Sequence, residues 1–200
     1  MNAVAAFLLA GGKSTRMGTD KAFLRWDNGT LLDSMLKLAR SVTADVYIVG
    51  GAGKFGSFAS TIEDIYRNHG PLGGIHSALH ASRSDLNLMV AVDLPFLNAG
   101  LLNYLLDRAN NSQSIVTVPR TSGGLQPLCA VYRRGFAAVA EEALEKEQNK
   151  IDPLFSAVTT CVIEPRELAL AGFSEEIFRN VNTPEDLEQA KRASRFGNQP

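Results

Sequence analysis

The chain has 200 residues, a length that suits one α/β domain with a sizeable core. Hydrophobic residues make up 45% and charged residues 20%, which excludes a disordered chain, and a formal net charge of −1 excludes the basic footprint of a nucleic-acid binder. No apolar run approaches the roughly 20 residues of a membrane span, and the segment before Ala10 lacks the basic start and cleavage site of a secretory signal, so a cytoplasmic protein without a membrane partner is expected.

The first predicted element is Val4-Ala5-Ala6-Phe7-Leu8-Leu9, a continuous apolar run of the kind that forms a buried parallel strand. After Ala10 it is cut off by Gly11 and Gly12, and a loop with Lys13, Ser14, Thr15, Arg16 and Lys21 follows. Paired glycines let backbone N–H groups turn toward a phosphate with no Cβ in the way. Arg16 adds a planar fork of donors and Lys21 a compact point charge. A Walker loop would need glycine where Phe7 stands, and a dinucleotide fingerprint would need Gly-x-Gly at its start, so neither accounts for the loop. The plainer alternative is a glycine-rich surface turn with incidental lysines.

Leu31, Leu32, Met35, Leu36, Leu38 and Ala39 recur at helical spacing, and Val46–Val49 reads as the next buried strand, giving a βαβ unit with a right-handed crossover. Gly51-Ala52-Gly53-Lys54-Phe55-Gly56 spells the dinucleotide pattern, but no acidic residue stands about 20 positions on; a mobile turn beside the nucleotide pocket is expected instead. Residues 61–64 form a short strand ending in Glu63 and Asp64. The cluster Gly70-Pro71-Leu72-Gly73-Gly74 then brings backbone close to something that needs room. His76 and His80 follow at i and i+4 on a helix, a spacing that could hold a metal, although no acidic or Cys partner accompanies them locally.

Residues 88–92 form the most hydrophobic strand, and it runs directly into Asp93-Leu94-Pro95-Phe96. A carboxylate at the carboxyl end of a central parallel strand sits where open α/β sheets bind ligands; the alternative is a capping or turn aspartate. Asn98 starts a helix, residues 114–119 form a strand, residues 120–124 a polar loop, and Gln126-Pro127-Leu128 precedes a strand ending at Tyr132. A helix from Phe136 and a late strand over 159–163 complete the core, while Cys129 and Cys161, far apart in apolar runs, read as buried thiols. Thr183, Pro184, Glu185 and Asp186 make a good helix start. Capping does not account for Asn180 and Asn182, which alternate about Val181 and so point to one face. From Ala193 the chain turns polar and is expected to fray, leaving a single domain over residues 1–192.

Together, Leu9-Ala10-Gly11-Gly12-x-Ser14-x-Arg16-Met17-Gly18-x-Asp20-Lys21, Asp64 ahead of Gly70-Pro71-Leu72-x-Gly74, Asp93-x-Pro95-Phe96, Gln126-Pro127-Leu128 and Asn180-Val181-Asn182-Thr183-Pro184 resemble, in order and over nearly the whole chain, the molybdenum cofactor guanylyltransferases. The resemblance implies a three-layer α/β, Rossmann-like nucleotidyltransferase fold with a mostly parallel central sheet and helices on both faces. It implies that Leu9, Ala10 and Gly11 contact GTP through the backbone, that Lys21 and Asp64 bind it, and that Asp93 binds both GTP and Mg²⁺. Gly12 and Ser14 belong to the same nucleotide-binding loop. Where relatives can carry Asn at the end of the second strand this chain has Gly50, so a side-chain contact to the nucleotide is missing there.

In the implied reaction, the terminal phosphate of molybdopterin or its molybdenum-loaded form attacks the α-phosphorus of GTP in line and expels pyrophosphate. The nucleophile is already an anion, so the lack of a Ser/His/Asp or Cys/His set agrees with the chemistry. Asp93 suits Mg²⁺, which needs only one or two carboxylates besides waters and substrate phosphates. Arg16 and Lys21 would neutralise the departing phosphates, with Asn180 and Asn182 on the pterin side. Two readings compete: a cytidylyltransferase acting on molybdopterin or a small phosphorylated alcohol, and a non-catalytic nucleotide-binding module that delivers cofactor. Transient contact with molybdoenzymes or their chaperones is expected in either cofactor role.

Overall fold

The computed structural model describes residues 2–11 and 20–196. Strand β1 (Val4–Leu9) is followed by a small hairpin of β2 (Arg25–Trp26) and β3 (Gly29–Thr30). Thr30 then caps α1 (Leu31–Arg40): its hydroxyl accepts from the Asp33 N–H while the Asp33 carboxylate accepts from the Thr30 N–H, a reciprocal box that satisfies two helix-end donors. Next come β4 (Val46–Val49), α2 (Ala52–Phe55), β5 (Ser60–Ile62), α3 (Gly70–Ala81), β6 (Leu86–Ala91) and α4 (Ala99–Asn111). The remainder comprises β7 (Val116–Thr121), β8 (Gly124–Leu125), β9 (Cys129–Tyr132), α5 (Phe136–Glu145), β10 (Thr160–Ile163), α6 (Pro165–Leu170) and α7 (Pro184–Phe196).

Among the described residues, eight strands form one sheet in the order β10-β7-β9-β6-β1-β4-β5, with β8 paired to β7, and β2 and β3 pair separately. Along the main path only β9 runs antiparallel to its neighbours, β6 and β7. This is the mostly parallel, Rossmann-like α/β sheet that the sequence implies. Alternation along β1 divides the core: Ala6 and Leu8 face a layer built from α1, α4 and α7, whereas Ala5, Phe7 and Leu9 face α3 and α5. Both faces are covered, which is why β1 and β6 read as unbroken hydrophobic runs. Truncating fully buried Phe7 to Ala would cost about 3–5 kcal/mol.

Two local expectations change. Residues 51–56 are a helical turn, not a mobile one: Phe55 is buried and stacks on Phe23 with ring centroids 5.8 Å apart. The polar loop at 120–124 is a tight hairpin in which Thr121 pairs with Gly124. Helix α7 runs on to Phe196, beyond Ala193. Cys129 is buried and Cys161 half-buried, and neither is in a disulfide.

Candidate active site

The carboxyl ends of β1, β4, β5 and β6 open into a cavity of about 670 Å³, within the range of small-molecule sites. Of the residues singled out in the sequence, Leu9, Ala10, Gly11, Lys21, Asp64 and Asp93 all line it. Gly12, Ser14 and Arg16 lie outside the described residues. The backbone of the β1 end is fixed by its neighbour: the N–H groups of Ala10 and Gly11 both donate to the Val49 carbonyl at 3.1 Å.

Lys21 is delivered by a short 3-10 turn, Lys21–Phe23, capped by the Asp20 carboxylate accepting from the Ala22 N–H at 2.9 Å. Asp20 also pairs with Lys54, whose ammonium lies over the rings of Phe23 and Phe55. The turn is thereby braced against α2. From it the Lys21 ammonium donates to Asp93 Oδ2 at 3.2 Å and to Asn182 Oδ1 at 2.6 Å. Both side chains of the Lys21–Asp93 pair are partly exposed, at 23% and 19%.

Asn182 reaches this point because the Val181 N–H donates to the Asp93 carbonyl at 2.9 Å, adding an extended segment beside the end of β6. Val181 is buried, so its neighbours face outward. Behind it the Asp186 carboxylate accepts from the N–H groups of Asn182 and Thr183, and the Thr183 hydroxyl accepts from the Asp186 N–H. These bonds, with the Asn182 N–H foremost, hold the Asp186 carboxyl below its ordinary value. Asn180 is exposed and not on the cavity, and its side chain makes no hydrogen bond among the described residues.

Asp64 stands at the other end of the cavity, past β5. Burial lifts its carboxyl above the ordinary value of 3.8, with Arg67 opposing in part. Among the described residues its side chain takes no hydrogen bond, and it lines the cavity, where a ligand donor can reach it. Helix α3 comes unusually close here: a Cβ on Gly74 would lie 3.2 Å from Val49 Cγ1 and 3.7 Å from Asp64 Oδ1. The Gly/Pro cluster therefore lets the helix start press against the strand ends, as the sequence suggests. Asn68, not singled out in the sequence, also lines the cavity, as do Asp20 of the signature loop and Leu128.

The donor set suits a hard divalent ion. Asp93 Oδ1 takes no hydrogen bond among the described residues, and a single carboxylate is what Mg²⁺ asks of a protein when substrate phosphates and waters complete its shell. No cluster of three or more His, Cys, Asp or Glu side chains able to hold an ion exists among the described residues, which leaves a site shared with substrate as the fitting arrangement. His76 and His80 are a packing pair away from the cavity, their rings stacked at 6.0 Å with Tyr66 edge-on to His76. Residues 51–56 do not line the cavity either.

The model of one protein family, the MobA-like NTP transferase domain, matches residues 6–159. The chain belongs to this family. Members of it at about one-third identity are full-length matches: a protein of Clostridium perfringens named probable molybdenum cofactor guanylyltransferase is 33% identical over 187 residues, covering 92% of this chain and 93% of that one. One of Desulfosudis oleivorans named molybdenum cofactor guanylyltransferase is 31% identical over 200 residues, covering 98% of each. The crystal structure of molybdopterin-guanine dinucleotide biosynthesis protein A from Archaeoglobus fulgidus shares the fold with a TM-score of 0.85 at 23% identity, covering 96% of this chain and 99% of that one. A 2-C-methyl-D-erythritol 4-phosphate cytidylyltransferase from Thermus thermophilus shares it with a TM-score of 0.70 at 19% identity, covering 98% and 100%. The MobA-like family is one of nucleotidyltransferases, and among the described residues no helix is long and apolar enough to cross a membrane.

Proposed function

We propose that the protein transfers GMP from GTP to the terminal phosphate of molybdopterin or its molybdenum-loaded form, releasing pyrophosphate. The observation that carries this reading is the convergence of Lys21, Asp93 and Asn182 at one end of a cavity whose wall is the glycine-terminated end of β1. The names of the full-length relatives support the choice of guanylyl donor and cofactor acceptor.

The acceptor phosphate attacks as an anion, so these residues are not asked to remove a proton; they hold two anions together and absorb charge on the leaving group. Lys21 holds the triphosphate, with Arg16 and the Gly12 and Ser14 loop completing the grip, while the β1 end, whose Ala10 and Gly11 N–H groups already donate to Val49, forms the cavity wall beside it. Asp93 would hold Mg²⁺ against the phosphates, an ion that when bound neutralises charge on the transferring and leaving oxygens. Lys21 is pre-aimed by Asp93 and Asn182, so its ammonium needs little reorganisation as pyrophosphate departs. Asn182, with Asn180 two residues before it, stands on the side from which the pterin phosphate would approach. GTP and a cofactor-phosphate acceptor place the work in the cytoplasm, with the product handed on by contact with molybdoenzymes or their chaperones.

The test is pyrophosphate release from each of the four NTPs with Mg²⁺ and purified molybdopterin. Release with GTP that depends on the acceptor is expected. Preference for CTP would reassign the chain to cytidylyl transfer, and nucleotide binding without release would make it a delivery module.

A further inference from the structure

One polar side chain on the cavity has no work in the reaction as derived above. Asn68 lies in the turn between β5 and α3, lines the cavity, and makes no side-chain hydrogen bond among the described residues. Its backbone has φ +66, the left-handed region that few residues other than glycine adopt but that asparagine tolerates. Holding a side chain there aims it differently from an extended or helical neighbour. The turn is fixed on its far side, where His69 Nδ1 hydrogen-bonds Asn149 Oδ1 at 2.8 Å, and a Cβ added at Gly73 would meet the Tyr66 carbonyl at 2.6 Å. The Asn68 carboxamide is thus an unspent donor and acceptor on a restrained turn at the cavity mouth.

Its place in the sheet says which part of a nucleotide it meets. Asp93 follows β6 and Asp64 follows β5, with β1 and β4 between, so they stand roughly 14 Å apart at ordinary strand spacing. The phosphates belong at the Asp93 and Lys21 end, which leaves the nucleobase to the end formed by Asp64, Asn68, Gly70 and Pro71. On the reading that the donor is GTP, the geometry points to Asn68 as a specificity-determining residue that donates its carboxamide N–H to O6 of the guanine. The neighbouring Asp64 carboxylate, an acceptor without a donor among the described residues, takes the N1–H and N2–H of the same edge. Donor beside acceptor matches guanine; cytosine would turn its own acceptors toward the carboxylate and is rejected.

The experiment measures Kd by titration calorimetry for GTP·Mg²⁺ and for the Mg²⁺ complex of 2-aminopurine riboside triphosphate, which keeps the N2 amine but lacks O6 and, with it, the N1–H. Wild type, Asn68→Gly and Asn68→Asp are compared. Glycine accepts the left-handed backbone without strain, so that variant folds. Asn68→Gly should weaken GTP roughly 3- to 10-fold, the scale of one hydrogen bond, and leave the 2-aminopurine nucleotide within twofold. Asn68→Asp should weaken GTP further, by setting an acceptor against O6. Equal losses for both nucleotides would place Asn68 on the sugar or phosphates and overturn the inference, as would GTP binding unchanged in Asn68→Gly. A wild-type chain that does not bind GTP sinks the guanylyl reading itself, and this assignment with it.

Discussion

Replacing Lys21 by Ala tests the site most directly. The ammonium donates to Asp93 at 3.2 Å and to Asn182 at 2.6 Å, and in turnover it would also meet the departing phosphates. A hydrogen bond to a charged group is worth about 1.5–3 kcal/mol, so losing it from the transition state should lower turnover about 10- to 100-fold. The fold should hardly notice. The pair is partly exposed, and such pairs contribute at most about 1 kcal/mol to folding, which for a chain of this size moves Tm by no more than about 4 °C. Lys21→Arg separates charge from shape: it keeps the cation, but a planar fork does not reproduce a point donor held between Asp93 and Asn182, so recovery should be partial. The assay is initial-rate pyrophosphate release with GTP, Mg²⁺ and molybdopterin, alongside thermal unfolding. Turnover within twofold of wild type in a folded Lys21→Ala protein would remove Lys21 from the mechanism.

Asp93→Asn should lower the rate and shift the Mg²⁺ titration to higher concentration, because a neutral amide is a poor ligand for a hard cation; an unchanged titration would refute the metal role. Gly50→Ala places a Cβ 2.7 Å from the Phe55 ring, itself buried against Phe23, and should cost about 1–3 kcal/mol in urea unfolding. In a Phe55→Ala background that penalty should vanish, and if it persists the clash is not its origin. Burial holds His76 below its ordinary value of 6.5, with Glu141 opposing and His80 reinforcing. Below that value the unfolded chain takes up a proton that the folded chain resists, so stability falls as pH drops through 6.5 toward the lower value of the folded imidazole. His76→Gln should flatten that slope; an equal slope in both proteins would show that other groups set it.

The parts of the fold legible in the sequence are those specified locally. Val4 to Leu9 and Leu86 to Ala91 read as central strands because both of their faces are buried, and Thr183 to Asp186 read as a helix start because caps are short-range chemistry. The place of Asp93 followed from where strand ends lie in an open sheet, whereas Lys21 was legible from the glycine-rich loop and Asp64 from the family resemblance. The Thr121 to Gly124 hairpin was hidden by its polar composition, although Ser122-Gly123 is a turn signal. Lys54 gave no sign, since its carboxylate partner Asp20 and the Phe23 ring come from elsewhere in the chain, and only the Phe55 ring is its neighbour. Asn68 could be read only as a turn residue; its meaning depends on a cavity built by four strands.

The Val181–Asp93 backbone bond has a consequence in time. Lys21 and Asp93 leave the ribosome well before Asn182, which is made only after β10, the last strand of the sheet. The Lys21–Asp93 pair can therefore form early, and its aim is completed late. A nascent chain that has already closed its central sheet still lacks the side-chain carbonyl that steadies Lys21.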